Sequence, residues 1–572
     1  MSILERGGNA FDAAAATAFA LQVVEPHLNG MGGELTGLLW SGDHQRAEVL
    51  CGQGPAPAGA SIERFSSLGL DAVPGTGLLA ACVPGAFGAW TELVERYGRM
   101  EIGDVLEPAI AFARDGFPVS VKLHRSIARV ADMFREHWPT SASLWLTNDG
   151  VPPTGSILRN PQLAETYSRL VQAGEGGRTR EARIRQTHDA FYRGFVAEAI
   201  DAFGRTAEVM DSSGRPHGGL LTADDLAQFA PGFEAPISLD YAGVTVHKAS
   251  TWTQGLVFLQ QLAQLAHTDV AEVGRGSGRF AHLVVESAKL ALADREAWYG
   301  DPAFVEVPIE GLLDPRYVAE RARLIGDEAS LELRPGAPGG RRPQLAPDLR
   351  VTPGAFGTGE PTMGESGQRE PALALPPHGD TVHLDVADRW GNVVAVTTSG
   401  GWLQSSPAIP GLGFCLGTRA QMFWLTEGLP NSLAPGKRPR TTLTPTLATR
   451  EGKPWLAFGT AGGDSQDQWS LVLLLTALHY EDDLQLAIDA PTFYTTHAPS
   501  SFYPRKREPG RVYIEGHADA EAVAFLRKHG HDVVVDEPWS QGWLSAVGQG
   551  PSAGWLRGAA CARERQGYVV GR

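Results

Sequence analysis

Cysteine is scarce in this 572-residue sequence: four residues, Cys51, Cys82, Cys415 and Cys561, stand far apart and never in a CxxC spacing. That excludes a disulfide framework or a zinc knuckle read from spacing, and it fits a reducing compartment. Basic residues are outnumbered, 49 against 65 acidic, for a formal charge of −16, and no Lys/Arg block exists. The electrostatic footprint of a nucleic-acid binder is therefore missing. Long apolar runs are missing too. The uncharged stretch from Ala13 to Val24 falls short of the roughly 18–20 residues of a membrane span. Residues 1–6 carry no basic segment leading into an apolar core. The expectation is a cytoplasmic protein with neither membrane nor nucleic-acid partners. HExxH, Walker and GxGxxG signatures are absent, as are clustered metal ligands, so no metal and no cofactor is expected.

Turn formers are abundant: 68 glycines and 39 prolines. Length alone suggests three or four domains. Residues 8–24 read as a buried, alanine-rich helix, ended by Glu25-Pro26-His27 and followed by the loop Asn29-Gly30-Met31-Gly32-Gly33, which is expected to lie close to other backbone. Residues 85–114 have helical spacing broken at Gly98. A strand is expected at 243–247, then a loop at 250–255 and two long helices around Leu259 and Val284. Over 334–377 Pro, Gly, Arg and Glu dominate, the composition of a mobile linker.

The linker gives way to Thr381-Val382-His383-Leu384-Asp385-Val386, a strict polar/apolar alternation that predicts a half-buried strand with Thr381, His383 and Asp385 on one face. Residues 389–392 supply a turn and 393–399 the returning strand. Pairing Asp388 with Asn392 sets Ser399 opposite Thr381, within a residue or so. The one GxSxG, at 550–554, follows a poor strand and contains Pro551, so it reads as a turn rather than a nucleophile elbow. What remains is a flexible segment running into a threonine that opens a strand. A cut before Thr381 would place a hydroxyl and a free α-amine, pKa about 7.7–8.0, on one residue: nucleophile and base together.

Several motifs then converge: Gly7-Gly8-Asn9-Ala10-Phe11-Asp12-Ala13-Ala14, Val23-Val24-Glu25-Pro26-His27, Gly30-Met31-Gly32-Gly33, Val83-Pro84-Gly85, Asp380-Thr381-Val382-His383, Gly391-Asn392, Lys437-Arg438-Pro439 and Gly462-Gly463. Together, and in this order over nearly the whole chain, they resemble the γ-glutamyltransferase family. The resemblance implies an α+β fold, the αββα sandwich of N-terminal-nucleophile hydrolases, with two stacked, mainly antiparallel sheets flanked by helices. It also implies a precursor that cleaves itself between Asp380 and Thr381, giving fragments 1–380 and 381–572 of one sandwich domain that stay together as a heterodimer, with a dimer of heterodimers as a further option. By the same resemblance Thr381 is the nucleophile, Ser399 the supporting hydroxyl and Gly462-Gly463 the oxyanion loop. Thr441 and Thr442 match a hydroxyl pair that contacts the substrate carboxylate.

The sequence departs from the family where a γ-glutamyl group is held. The segment 50–57 lacks the arginine that takes the α-carboxylate, and 419–424 lacks the acid that takes the α-amine; Gly401 replaces an asparagine. A desolvated, unpaired ammonium is costly, so a glutamyl substrate is disfavoured. Arg419, whose planar fork matches a carboxylate, stands where the family has a pocket glutamine. Its competing role is a structural one, pairing with Asp464 or Glu427. Trp402, Phe423 and Trp424 are candidates to narrow the pocket. The pattern resembles a subgroup that includes oxamate amidohydrolases, so the expected substrate is a small carboxylate-bearing amide, with water as the second reactant. The alternatives are a γ-glutamyl hydrolase or transferase, a cephalosporin-type acylase, and an unprocessed, non-catalytic binding protein. The chain also starts almost at its first motif, where relatives carry a further core strand, so an exposed sheet edge is expected.

Overall fold

The computed structural model describes residues 1–347 other than 149, together with 381–550, 554–563 and 567–571. Asp380, most of the expected linker and Ser552 lie outside these residues. Two antiparallel sheets form the centre. The first contains β1 (Glu34–Ser41), β2 (Arg46–Gly52), β3 (Gly232–Glu234), β6 (Thr381–Ala387) and β7 (Val393–Ser399), in the order β6-β7-β1-β2-β3. The second contains β4 (Ile237–Tyr241), β5 (Val244–Lys248), β8 (Thr446–Arg450), β9 (Lys453–Thr460), β10 (Leu544–Gln549) and β11 (Leu556–Ala560), in the order β11-β10-β9-β8-β5-β4. Among the described residues β6 is an edge strand.

Apolar clusters define the layers. Leu38, Trp40, Val49, Val393 and Ala395 of the first sheet meet Leu447 and Ala457 of the second. The opposite face of the first sheet, including Leu384, Val394 and Val396, packs on helices α1 (Ala10–Val24), α2 (Ala86–Tyr97) and α3 (Ile102–Asp115). The outer face of the second sheet packs on α4 (Leu256–Leu265), α5 (Gly278–Trp298) and α6 (Gln466–His479). The result is the expected αββα sandwich. The helices expected over 85–114 are α2 and α3, parted at Gly98.

Two local devices fix the first sheet. Asn9 caps α1 by accepting from the Phe11 and Asp12 amides, while the buried Asp12 carboxylate accepts from the amides of Asn9, Arg99 and Met100. The Gly-Gly-Asn-Ala motif is thus a structural clasp between α1 and the turn after α2. One residue on, the Ala10 amide donates to Asp388 Oδ2 at 2.8 Å, and Asp388 also accepts from the Trp390 amide and from Asn392, closing the β6–β7 hairpin. In addition, the loop 29–33 does press on backbone: a Cβ on Gly33 would lie 2.2 Å from the Ser399 carbonyl oxygen, and one on Gly30 2.2 Å from that of Gly401. Only glycine admits this approach.

The expected linker is not loose at its start. The Arg334 side chain donates to Glu286 and to the Leu324 carbonyl, and the Gly336 amide donates to Asp294 at 2.7 Å. Composition alone missed these anchors because their acids sit on α5, far away in sequence. Replacing Asp12 with Ala leaves one buried and two part-buried amides without this acceptor and is expected to cost about 2 kcal/mol, with Asp12→Asn costing less; urea unfolding of both variants measures this, and equal stability to the parent would contradict the clasp.

Candidate active site

The site is built on register. Across the β6–β7 ladder Thr381 pairs with Ser399, and across β7–β1 Ser399 pairs with Glu34. Directly paired residues point to one face, so the three side chains form a row. That face is the inter-sheet one, because Leu38 and Trp40 follow Glu34 at even spacing on β1 and lie in the inter-sheet cluster. The Thr381 hydroxyl donates to Ser399 Oγ at 3.1 Å, and both residues are buried. The hairpin pairing expected from sequence is the observed one, with the Asp388 amide donating to the Asn392 carbonyl.

The next row down is also polar. His383 Nδ1 lies 2.8 Å from Thr397 Oγ1 and its Nε2 lies 2.9 Å from Asp385 Oδ1, while Asp385 Oδ2 accepts from Ser545 of β10 at 2.7 Å. Burial raises the Asp385 pKa, with His383 opposing the shift. The imidazole fits against Gly459, where a Cβ would lie 2.4 Å from the ring. This run of contacts ties β6 to the second sheet through Asp385, four residues from Thr381.

Gly462 and Gly463 follow β9 with φ of 123° and 54°, and a Cβ on Gly462 would strike the Trp469 ring at 2.2 Å. The turn is held by Gln254 Nε2, which donates to the Gly463 carbonyl at 3.3 Å. Thr441 and Thr442 are both buried. The Thr441 backbone bridges to the loop 252–254, whereas the Thr442 hydroxyl has no hydrogen-bond partner among the described residues.

Arg419 is buried, but its partner is neither Asp464 nor Glu427. Its Nε donates to Glu34, the last member of the Thr381 row. Asp464 instead takes Arg295 and Ser501. The two terminal nitrogens of Arg419 have no hydrogen-bond partner among the described residues. Trp402 and Phe502 lie over the guanidinium, with ring centroids 5.1 and 5.5 Å from its central carbon. Burial raises the Glu34 pKa and Arg419 opposes that shift. Of the three aromatic candidates only Trp402 reaches this place: Phe423 packs in a separate cluster with Phe65 and Leu433, and Trp424 stacks on Arg505.

Sequence reasoning missed Glu34 and Phe502. A signal for Glu34 was present, a lone acid opening an otherwise apolar strand straight after two glycines; Phe502 is brought in only by tertiary folding. A carboxylate therefore does stand beside Arg419, supplied by β1 rather than by 419–424, and it is already engaged by that cation.

The comparisons agree with this architecture. The family described as Gamma-glutamyltranspeptidase matches residues 1–571. The glutathione hydrolase-like YwrD proenzyme of Bacillus subtilis (strain 168) is 29% identical over 100% of this chain and 95% of its own length. The acylase ACY 1 proenzyme of Pseudomonas sp. (strain SE83) is 30% identical over 98% of this chain and 89% of its own. Among solved structures, LmbA2991HD superposes with a TM-score of 0.93 at 49% identity, covering 100% of this chain and 96% of that one. With the β6–β7 hairpin, the glycine turn and the αββα layers all in place, the chain belongs to the γ-glutamyltranspeptidase family of N-terminal-nucleophile hydrolases and is an enzyme.

Proposed function

We propose that the protein is a self-processing amidohydrolase that cleaves a small carboxylate-bearing amide, such as oxamate, through a threonyl ester. The observation that carries this reading is the half-engaged Arg419: Glu34 fixes its Nε, and its two terminal donors, buried and without acceptors, are set to receive a carboxylate in the fork geometry that guanidinium favours. Buried donors left unpaired cost about 1–3 kcal/mol each, so an acceptor is favoured there. No second acid stands free beside Arg419 among the described contacts, because Glu34 is taken. An α-ammonium would go unpaired, which supports an acid without an amine.

In the mature form the Thr381 amine takes the hydroxyl proton as Oγ1 attacks the amide carbonyl. The negative charge that develops on the carbonyl oxygen is met by backbone N–H groups of the 462–463 turn. Collapse expels ammonia, which carries the proton away, and leaves the acyl group esterified to Thr381. Water then hydrolyses the ester, releasing the acid and restoring the hydroxyl. Maturation uses the same hydroxyl on the Asp380 carbonyl: an N-to-O shift gives an ester that water opens, separating 1–380 from 381–572. Ser399 supports Thr381 through their hydrogen bond in both steps.

A second reading is an acylase for longer dicarboxylate-type acyl groups. Two strand spacings, about 10 Å, separate the backbone of Thr381 from that of Glu34, which favours a longer acyl chain, and the ACY 1 proenzyme is a relative of this chain.

Purified protein is expected to run as two fragments with Thr381 as a new N-terminus, and Thr381→Ala as one intact chain; an intact parent chain in denaturing mass measurement would sink the maturation scheme. Ammonia release from oxamate, set against turnover of a γ-glutamyl anilide and of a glutaryl amide, decides the acyl group, and preference for the anilide would refute the present reading. Arg419→Ala is expected to spare cleavage and to raise KM for carboxylate substrates; equal loss of both activities would remove Arg419 from the pocket. Glu34→Ala strands a buried guanidinium and is expected to destabilise by about 3–5 kcal/mol, more than Glu34→Leu combined with Arg419→Leu; denaturation midpoints test the order.

A further inference from the structure

The buried arginine on α5, Arg295, is not part of the reaction as described above, yet the loop 252–254, the glycine turn and the loop before Phe502 all bond to it. Its Nη1 donates to Gln254 Oε1 at 2.7 Å and to Asp464, its Nη2 to the Pro499 carbonyl at 3.2 Å, and its Nε to Glu296 at 3.0 Å. Each acceptor leads into the site. Gln254 holds the Gly463 carbonyl through its side chain and the Thr441 carbonyl through its amide. Asp464 belongs to the glycine turn and accepts from the Ser501 amide at 2.8 Å and from its hydroxyl at 2.6 Å, next to Phe502 on the Arg419 pocket. Arg440, just before Thr441 and Thr442, donates to Glu296 at 2.6 Å and to the Arg295 carbonyl at 2.9 Å. Burial would raise the Asp464 pKa, but Arg295 and Ser501 hold it below the usual carboxylate range.

We propose that Arg295 is a positioning residue: it fixes the glycine turn relative to Thr381 and, through the same guanidinium, sets the Phe502 wall and the Thr441-Thr442 run. Four acceptors, three of them from segments outside α5, are met by one planar group, which an ammonium with three donors on a flexible stem cannot reproduce. Donors for an oxyanion act only when their direction is fixed before charge develops, and here the direction of the turn is set from its carbonyl at Gly463 and its carboxylate at Asp464. A fault in this hub tilts the turn and is felt in the transition state more than in substrate binding.

The inference rests on the threonine acyl-transfer reading and not on the identity of the acyl group. The test is Arg295→Lys, assayed with whichever of oxamate, a glutaryl amide and a γ-glutamyl anilide the wild-type protein turns over, with kcat expressed per processed Thr381 counted by mass. Expected is a kcat lower by about 10- to 100-fold with KM within about threefold, on a chain whose circular dichroism matches the wild type. A merely structural role would lower the melting temperature and the processed fraction while leaving kcat per processed site within twofold, which would overturn the proposal, as would a loss confined to KM. If Arg295→Lys does not fold, Gln254→Met, which cuts only the link from Arg295 to Gly463, must show the kcat loss, and unchanged kcat there overturns the proposal. A wild-type chain inactive on all three amides would instead count against the acyl-transfer reading.

Discussion

The pairing of β6 with β7 and of β7 with β1 is the constraint on which the site depends. Because side chains alternate with period two, this register alone places Thr381, Ser399 and Glu34 in one row on the inter-sheet face. A slip of one residue would turn the threonine toward the helices and Val382 toward the second sheet. The molecule resists such a slip at both ends of the hairpin. Asp388 gathers donors from Ala10, Trp390 and Asn392 at the turn, while at the open end Gly30 and Gly33 sit against the carbonyls of Gly401 and Ser399 at a distance no other residue permits. Below the row, His383 links Thr397 to Asp385, and Asp385 reaches Ser545 across to β10.

Around this row the protein buries charge that a merely stable fold would avoid. Glu34 with Arg419 and Lys248 with Asp467 are nearly closed to solvent, and the buried Arg295 pairs with a half-buried Asp464. Burial depresses the Lys248 pKa and raises that of Asp467, each opposed by its partner. Such pairs recover their desolvation cost only with good geometry and further hydrogen bonds, and apolar replacements are often as stable. Other buried pairs, such as Arg563 with Glu515 and Lys289 with Glu286, lie elsewhere, whereas these three stand at the Thr381 row, the glycine turn and the threonine run and hold those segments in place. Lys248, for example, bonds the Thr444 carbonyl and the Thr446 hydroxyl, fixing the chain just beyond Thr441 and Thr442.

Much of this was legible in the sequence, for identifiable reasons. The alternation from Thr381 to Val386 and the Asp388–Asn392 turn determine a local hairpin, so Ser399 opposite Thr381 followed from counting. The glycine loop at 29–33 is a local signal as well. The partner of Arg419 was not legible: Glu34 lies 385 positions away and meets it only once β1 has joined the sheet. Nor was the convergence on Arg295, whose acceptors Gln254, Asp464 and Pro499 come from three segments distant in sequence. The start of the linker was misjudged for the same reason, since composition reports how little a segment can bury by itself and not which distant acids await its donors.

The central claim, that Thr381 at the head of this row is the acylated nucleophile, is tested most directly by quenching the mature protein in acid during turnover of oxamate and weighing its fragments. The account predicts a gain of one oxalyl group on fragment 381–572, located at Thr381 by peptide mapping and absent in Thr381→Ala. Turnover with the adduct on another residue, or turnover by a chain still joined at 380–381, would contradict it.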